Sequence, residues 1–400
     1  MVEMRGRRLG LGGAILGMAS VLVGISPAGH GAPAAAASTP AVVRLGGVAA
    51  LSSGNAWAVG AWRRTASSGY KTLIEHWTAG RWRLQASPSP GNDSNSLTGV
   101  AALSSTEAWA VGSYHTNGQS LKTLIEHWNG TAWKVQPSPS PVTGNNTLSA
   151  VVATSRSNVW AVGNTLSTSG EQRTLIEHWN GRSWTVQHSP SPGSSSQLTA
   201  VAAVSGSNAW AVGYSDSSDG TTSKTLVEHW NGSSWQIQAS PNPSVQYNFL
   251  CGVAATSRTN AWTDGMYVQA GYQAPIMEHW NGQAWSVHAS AYQPAGYEYD
   301  PCAMAAPSAG NIWAVGSRWY LNADRTLIEH WNGTTWKTQA SPNPAPGDFD
   351  QNVLNGVAAT SATNAWAVGW SYVNNSVHIK PLIEHWNGSS WKLQSAAIPL

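Results

Sequence analysis

The sequence is short of charge, of cysteine and of phenylalanine, and each shortage removes a class of protein. Only 10% of its 400 residues are Asp, Glu, Lys or Arg. Arg5, Arg7, Arg8 and Glu3 precede Leu9, which leaves 18 basic and 18 acidic residues of the 21 and 19 beyond it. That balance offers no electrostatic case for nucleic acid or an anionic membrane. Two cysteines in so long a chain exclude a disulfide-scaffold mini-protein and a multi-cysteine zinc array. There is no glycine-rich phosphate loop ahead of a helix, no His-Glu-x-x-His and no G-x-S-x-G elbow, so no cofactor, metal or catalytic set is expected. What is present in excess is tryptophan, 24 against two Phe, with 40 Gly and a 42% hydrophobic content that supports a packed core.

The N-terminus reads as an address. Arg5, Arg7 and Arg8 precede an apolar, glycine-broken run from Leu9 to Ile25, followed by an Ala/Pro-rich stretch with a small-residue site at Ala35-Ala36-Ala37. This predicts a signal peptide over 1–37, export to the cell surface or medium, and no membrane span after its removal. A retained anchor is the alternative, although the run barely reaches transmembrane length. Beyond it no segment is apolar for long enough to span a bilayer.

The remaining chain repeats with a period of about 50 residues. Ala56-Trp57-Ala58-Val59-Gly60 recurs with its Trp at 57, 109, 160, 210, 262, 313 and 366. Leu73-Ile74-Glu75-His76-Trp77 recurs with its Trp at 77, 128, 179, 230, 280, 331 and 386, and a third Trp follows each by five residues. These account for 21 of the 24; Trp62, Trp319 and Trp370 stand outside. Each repeat holds four short segments of strand character and none of helical period. In the second they are Gly99–Leu103, Ala108–Gly112, Thr123–Trp128 and Trp133–Gln136, with the hairpin signal Asn129-Gly130 before the last.

Four antiparallel strands repeated seven times predict an all-β chain, one seven-bladed β-propeller over 38–400 with blades near 42–90, 91–142, 143–193, 194–243, 244–295, 296–346 and 347–397. Ala108-Trp109-Ala110-Val111-Gly112 followed by Ile125-Glu126-His127-Trp128-Asn129-Gly130-Thr131-Ala132-Trp133 is similar to the kelch repeat. A single Gly replaces the kelch pair, and His-Trp stands where kelch has Tyr-Asp, so the chain resembles a kelch-like or galactose-oxidase-like propeller. The resemblance implies a fold and a binding platform. It implies no chemistry, since the copper ligands and Tyr-Cys crosslink of galactose oxidase find no matching positions.

Seven Glu-His pairs, among them Glu75-His76-Trp77 and Glu126-His127-Trp128, suggest metal or acid/base work at first sight. Adjacent strand residues point to opposite faces, so neither pair converges on one ion, and the Glu is expected to cement blade to blade by accepting hydrogen bonds. An Asn two residues before the first Trp of most repeats is expected to close a turn.

Function is better sought where one repeat departs from the rest. Seven of the 11 Tyr lie between 247 and 320, in blades five and six, and blade five reads Ala261-Trp262-Thr263-Asp264-Gly265. Tyr247, Phe249, Tyr292, Tyr297, Glu298, Tyr299 and Asp300 are expected in four-to-one loops, and Tyr267, Tyr272, Trp319, Tyr320 and Asp324 in or beside two-to-three loops. Strand order puts both loop sets on one end. The expected ligand residues are Tyr267, Tyr272, Tyr292, Tyr297, Glu298, Tyr299, Asp300, Trp319 and Tyr320, engaging a polysaccharide or an extracellular protein. Plain loop packing by the tyrosines is the bland alternative. A glycoside hydrolase or lyase using Asp264, Glu298 and Asp300 is a second reading, and a structural surface or adhesion module a third. Cys251 and Cys302 share the position also held by Gly46, Thr98, Ser149, Thr199 and Asn355, and an inter-blade disulfide is expected between them. Asp348 and Asp350 give a faint hint of Ca²⁺.

Overall fold

The computed structural model describes residues 42–399 apart from 66, 270, 293–298, 321, 375 and 377, and leaves the side chains of 299–302 undescribed. The expected signal peptide, Tyr297 and Glu298 therefore lie outside the described residues, as do the side chains of Tyr299, Asp300 and Cys302. Among the described residues there is no helix, and 28 strands fall into seven consecutive fours, each antiparallel in chain order. Blade one is β1–β4 (42–84), two β5–β8 (94–136), three β9–β12 (145–187), four β13–β16 (195–237), five β17–β20 (247–288), six β21–β24 (299–339) and seven β25–β28 (351–393). Single parallel bridges, Gln172 to Ser195 and Ser223 to Tyr247, fuse blades three, four and five into one continuous sheet. The first strands neighbour one another in order, and β25 packs on β1.

The strands are longer than the hydrophobic pattern suggests. The first strand of blade two is Ser94–Ser104, eleven residues where five were expected. Its opening residues, Ser94 to Ser96, are polar and weakly strand-forming, and a β-bulge between Leu97 and Gly99 breaks the alternation that would have revealed it. The bulged residue, Thr98 here, is Gly46, Ser149, Thr199, Cys251, Cys302 or Asn355 elsewhere. Opposite the bulge sits the Gly of the Ala-Trp-Ala-Val-Gly motif. A Cβ on Gly60 would stand 2.0 Å from the Arg44 carbonyl oxygen, so no other residue fits there.

These longer strands correct the four-to-one loop assignments, for Tyr247 and Phe249 are in β17 and Tyr299 and Asp300 in β21. Tyr267 near the end of β18 (Asn260–Gln269), Tyr272 at the start of β19 (Tyr272–Trp280), Trp319 and Tyr320 at the end of β22 (Asn311–Tyr320) and Asp324 near the start of β23 (Ala323–Trp331) stand beside the two-to-three loops.

Each seam between blades is a tryptophan joint. Trp57, wholly buried, stacks on His76 of its own blade at 3.9 Å and meets Trp128 and Trp133 of the next at 5.1 and 5.2 Å, the latter edge-on. The third-strand indole donates to a turn carbonyl, as Trp128 Nε1 does to Ser105 O at 3.0 Å. Beside the indoles lies a polar tie. Ser87, in the linker after blade one, donates to Glu126 of blade two, and Ser138 to Glu177, Ser189 to Glu228 and Ser341 to Glu384 repeat it. Burial raises Glu126, Glu177, Glu228 and Glu384 to about 8, against the stabilising serine bond. Blade seven joins blade one the same way: Trp366 meets Trp77 at 4.8 Å and Trp82 at 5.2 Å, and Asn355 Nδ2 donates to Leu45 O at 2.8 Å. Here Ala396 occupies the serine position, and the Ala397 amide donates to Glu75 at 2.7 Å instead.

The Asn before the first Trp does more than the expected turn closure, in which Asn158 and Asn364 donate Nδ2 across the turn to Thr154 and Thr360 Oγ1. Asn55, Asn158, Asn311 and Asn364 accept from or pair with the strand-three His of the same blade at 2.7 to 3.1 Å, holding the imidazole flat on the indole. In the Asn-Gly hairpins only the Gly takes positive φ, as Gly130 does. Asn129 Oδ1 accepts from the Thr131 and Ala132 amides, an Asx turn rather than a turn with both residues left-handed.

Candidate functional site

The end of the molecule that carries the connections from strand two to strand three departs most from the repeat at blades five and six. Arg318, near the end of β22, places its guanidinium 5.2 Å from the Tyr292 ring centroid and 5.5 Å from that of Tyr320. Arg318 also lines a cavity of about 350 Å³ with Thr326, Thr338, Gln339, Ser341 and Asn343. Tyr320 and Tyr272 are about half exposed, 46% and 57%. A cation held between two flat rings, beside a cleft rimmed with hydroxyls and amides, suits a polar, ring-bearing ligand. Arg318 escaped the sequence reading, which counted tyrosines and carboxylates. Its signal was there, since the equivalent residues of the other blades include Trp62, Tyr114 and Tyr267.

The expected patch is nonetheless divided. Tyr247 and Phe249 are packing residues, with Phe249 edge-on to Tyr214 at 4.7 Å and both buried with Met266. Tyr267 packs against the core between blades four and five, alongside Trp210 and Trp285. Trp319 pairs across the strand with Asp324, whose carboxylate accepts from Gln351 of blade seven. The structure brings Tyr292 and Tyr320 together around Arg318 and leaves Tyr267 out.

Asp264 is not at a cleft. It has zero exposure, occupies the place of the repeat's Val, and neither carboxylate oxygen has a well-formed hydrogen-bond partner. Oδ1 lies 2.5 Å from where a Cβ on Gly252 would begin, in room that only glycine leaves. Burial raises its pKa to about 7; the Gly252 backbone opposes the rise and the charge of Glu329 adds to it. Its neighbour Thr263 is satisfied, donating to Gly252 O at 2.7 Å. A carboxyl sealed between blades cannot exchange protons with a substrate in the open, which removes Asp264 from the acid/base reading built on it with Glu298 and Asp300. Asp350 is likewise committed, accepting from the Gly347 and Asn374 amides at 2.7 Å each, and no acidic or His cluster able to hold a metal occurs among the described residues.

A larger cavity, about 510 Å³, opens at the opposite end near the first-strand termini of blades four to six, lined by Val204, Thr256, Asn260, Pro307 and Ser308. It pointed to nothing in the sequence, where these are ordinary turn-flanking residues.

YCF48 bound to a D1 peptide matches with a TM-score of 0.50 at 13% identity, over 85% of this chain and 96% of that one. The fold is a β-propeller. The six-bladed fucose-recognising lectin of Aleuria aurantia aligns at a TM-score of 0.47 and 14% identity over 75% of this chain and 95% of the lectin. A Hadza microbial sialidase gives 0.47 and 11% over 70% and 63%. No family model matches the chain, and no curated protein does. At these identities the likeness is one of fold alone, and the kelch resemblance rests on the repeat residues quoted above. Among the described residues no helix is long and apolar enough to cross a membrane.

Proposed function

We propose that the chain closes as a seven-bladed propeller of four-stranded blades and works as an exported binding module, taking a polysaccharide or an extracellular protein on the blade five and six face, with glycan the preferred partner. The observation that carries this reading is Arg318 between Tyr292 and Tyr320 at the edge of the 350 Å³ cavity, with hydroxyl and amide side chains lining the rest. Flat rings with a few oriented polar groups complement the C–H faces and hydroxyls of a sugar, and the even charge of the chain does not call for a strongly charged partner. Tyr272, Tyr297, Tyr299 and Asp300 extend the same proposal.

The test is a glycan array and a cell-surface pull-down with wild type and two variants, Tyr320→Ala and Arg318→Gln. Retention by wild type and loss in both variants supports the site. Undiminished binding by both variants sinks the site, and silence on both arms by wild type sinks the function.

The reading includes a Cys251–Cys302 disulfide. Both residues are bulged positions of adjacent first strands. At the equivalent step from blade one to blade two, a Cβ on Gly46 would lie 3.3 Å from Thr98 Cα, so the bulge positions of adjacent first strands are direct neighbours.

A further inference from the structure

At the end of the ring opposite the aromatic face, one set of polar side chains recurs and in one blade comes apart. In blade three Asn158 Nδ2 donates to Thr154 Oγ1, and its Oδ1 pairs with His178 Nε2 at 2.8 Å. Blade seven repeats the set with Thr360, Asn364 and His385 at 2.7 and 2.8 Å. Blade five carries the same three residue types, Thr256, Asn260 and His279, yet Thr256 Oγ1, Asn260 Oδ1 and His279 Nε2 are all buried without a partner. The side chains being alike, the cause lies in the neighbours. Blades four and six place Val204 and Pro307 where blades three, five and seven have Thr. Val204 is 38% exposed. Pro307 offers no N–H, and the pairing of Ala255 with Ala261 in blade five has no counterpart between Ala306 and Ile312. Val204, Thr256, Asn260 and Pro307, with Ser257 and Ser308, wall the cavity of about 510 Å³.

A buried polar atom without a partner is costly, and a ligand that supplies the partner recovers that cost on binding. Neither Thr256 Oγ1 nor Asn260 Oδ1 has a hydrogen bond to lose, so rotation of its own side chain is enough to offer either oxygen to the cavity. No charged side chain lines the cavity. His279, lowered by burial and then by His288, adds no positive charge near neutral pH. The occupant that fits is therefore neutral. A hydroxyl able to donate and an amide oxygen able to accept, with a valine and a proline ring beside them, complement a secondary amide that bears a small apolar group. Its N–H donates to Asn260, its carbonyl accepts from Thr256, and its methyl rests on Val204 and Pro307.

We propose that this cavity binds a small neutral ligand carrying a secondary amide next to a methyl-sized group, held by Thr256 and Asn260. The amide belongs either to an N-acetylated sugar or to an acylated amino acid. The proposal does not depend on the aromatic face of blades five and six.

Isothermal titration calorimetry of the full chain against N-acetylglucosamine, N-acetyl-alanine methylamide and glucose, which lacks the amide, tests it. Wild type binds at least one of the two amides about tenfold or more tightly than glucose, and Thr256→Val weakens that binding by about tenfold, the loss of one hydrogen bond. Blade four already carries Val at this position; Asn260→Ala is the variant read if Thr256→Val does not fold. Thr360→Val, the same change in blade seven, leaves the affinity unchanged and so separates a contact from a general loosening of the fold. Tighter binding of the sugar assigns the amide to a glycan, tighter binding of the alanine derivative assigns it to an acylated amino acid, and equal affinity assigns recognition to the amide alone. No heat with either amide, equal affinity for glucose, unchanged affinity in the blade five variant that folds, an equal loss in Thr360→Val, or a loss produced by Tyr320→Ala instead overturns the proposal.

Discussion

Between blades three and four the repeat is intact; between five and six the same joint holds different atoms. In the first, Trp160 meets Trp230 and Trp235 at 4.9 and 5.1 Å, Val162 fills the space beside them, and Ser189 ties Glu228. In the second, Trp262 meets Trp331 and Trp336 at 4.9 and 5.5 Å, but Asp264 replaces the valine, His288 stands edge-on to Trp262, and Glu329 accepts from the Tyr292 amide as well as from Ser290. His279 Nε2 and Asn260 Oδ1, bonded partners in their counterparts elsewhere, are both buried and unbonded. The indole geometry barely changes while its surroundings turn polar. The aromatic joint is therefore strong enough to carry a neighbour that would be expensive in a lone pair of sheets.

The largest expected effect tests the joint itself. Trp160→Ala lowers unfolding free energy by about 3–5 kcal/mol in urea titration, and Trp262→Ala by less, because its polar surroundings collapse on water more readily. An equal or greater loss at Trp262 breaks the comparison. Next comes the Cys251–Cys302 pair. Intact mass under non-reducing conditions shows the two thiols missing, and reduction costs about 2–4 kcal/mol; two titratable thiols in the folded, oxidised protein contradict it. Third, Asp264→Val restores the repeat and stabilises the fold by about 1–3 kcal/mol at pH 8, a buried unsatisfied carboxylate being removed. Its folded pKa of about 7 lies above the ordinary aspartate value, so the native carboxyl contributes most below that ordinary value and progressively loses that contribution up to about 7. The gain from valine consequently grows with pH, and a gain that is flat or shrinks speaks against a buried carboxyl.

The smallest effect belongs to the intact joints. Glu126, Glu177, Glu228 and Glu384, raised to about 8, favour the native state below about 4.5 and lose that advantage as pH climbs to 8. His76, His178, His330 and His385 are lowered by burial, so their contribution is complete once pH exceeds 6.5. Between about pH 6.5 and 8 only the acids act, and the melting temperature falls. Glu126→Gln makes that slope shallower; a slope unchanged in Glu126→Gln removes the buried acid as its cause.

The architecture was legible because it repeats: a period that places Trp57, Trp77 and Trp82 at fixed offsets states both the strand and its partner. Strand ends were not, because Ser94-Asn95-Ser96 has no apolar alternation and Thr98 bulges out of register, so Tyr247 and Phe249 passed for loop residues when they are packed between blades four and five. The candidate site was legible only in part. Tyrosine density pointed to blades five and six, but spacing along a strand does not say which neighbouring blade a side chain meets, and that decides why Tyr320 joins Arg318 while Tyr267 turns to Trp210. Asp264 looked reactive because it was exceptional; its burial follows from the valine it replaces, which faces the next blade everywhere else. Arg44 and Trp370, guanidinium to ring centroid 5.2 Å, were invisible as a pair, since only closure makes them neighbours.

The amide of Ala397 stands in for a serine hydroxyl at the one joint the chain does not cross covalently. The segment after β28 therefore serves this joint as the linkers serve the others. Joining residue 397 to residue 42 through a short flexible bridge and opening the chain within Ser189-Pro190-Ser191-Pro192 would give a circular permutant with the same seven joints. In that permutant Glu75 would sit beside a continuous chain, and the joint held by a tail would become the one between blades three and four.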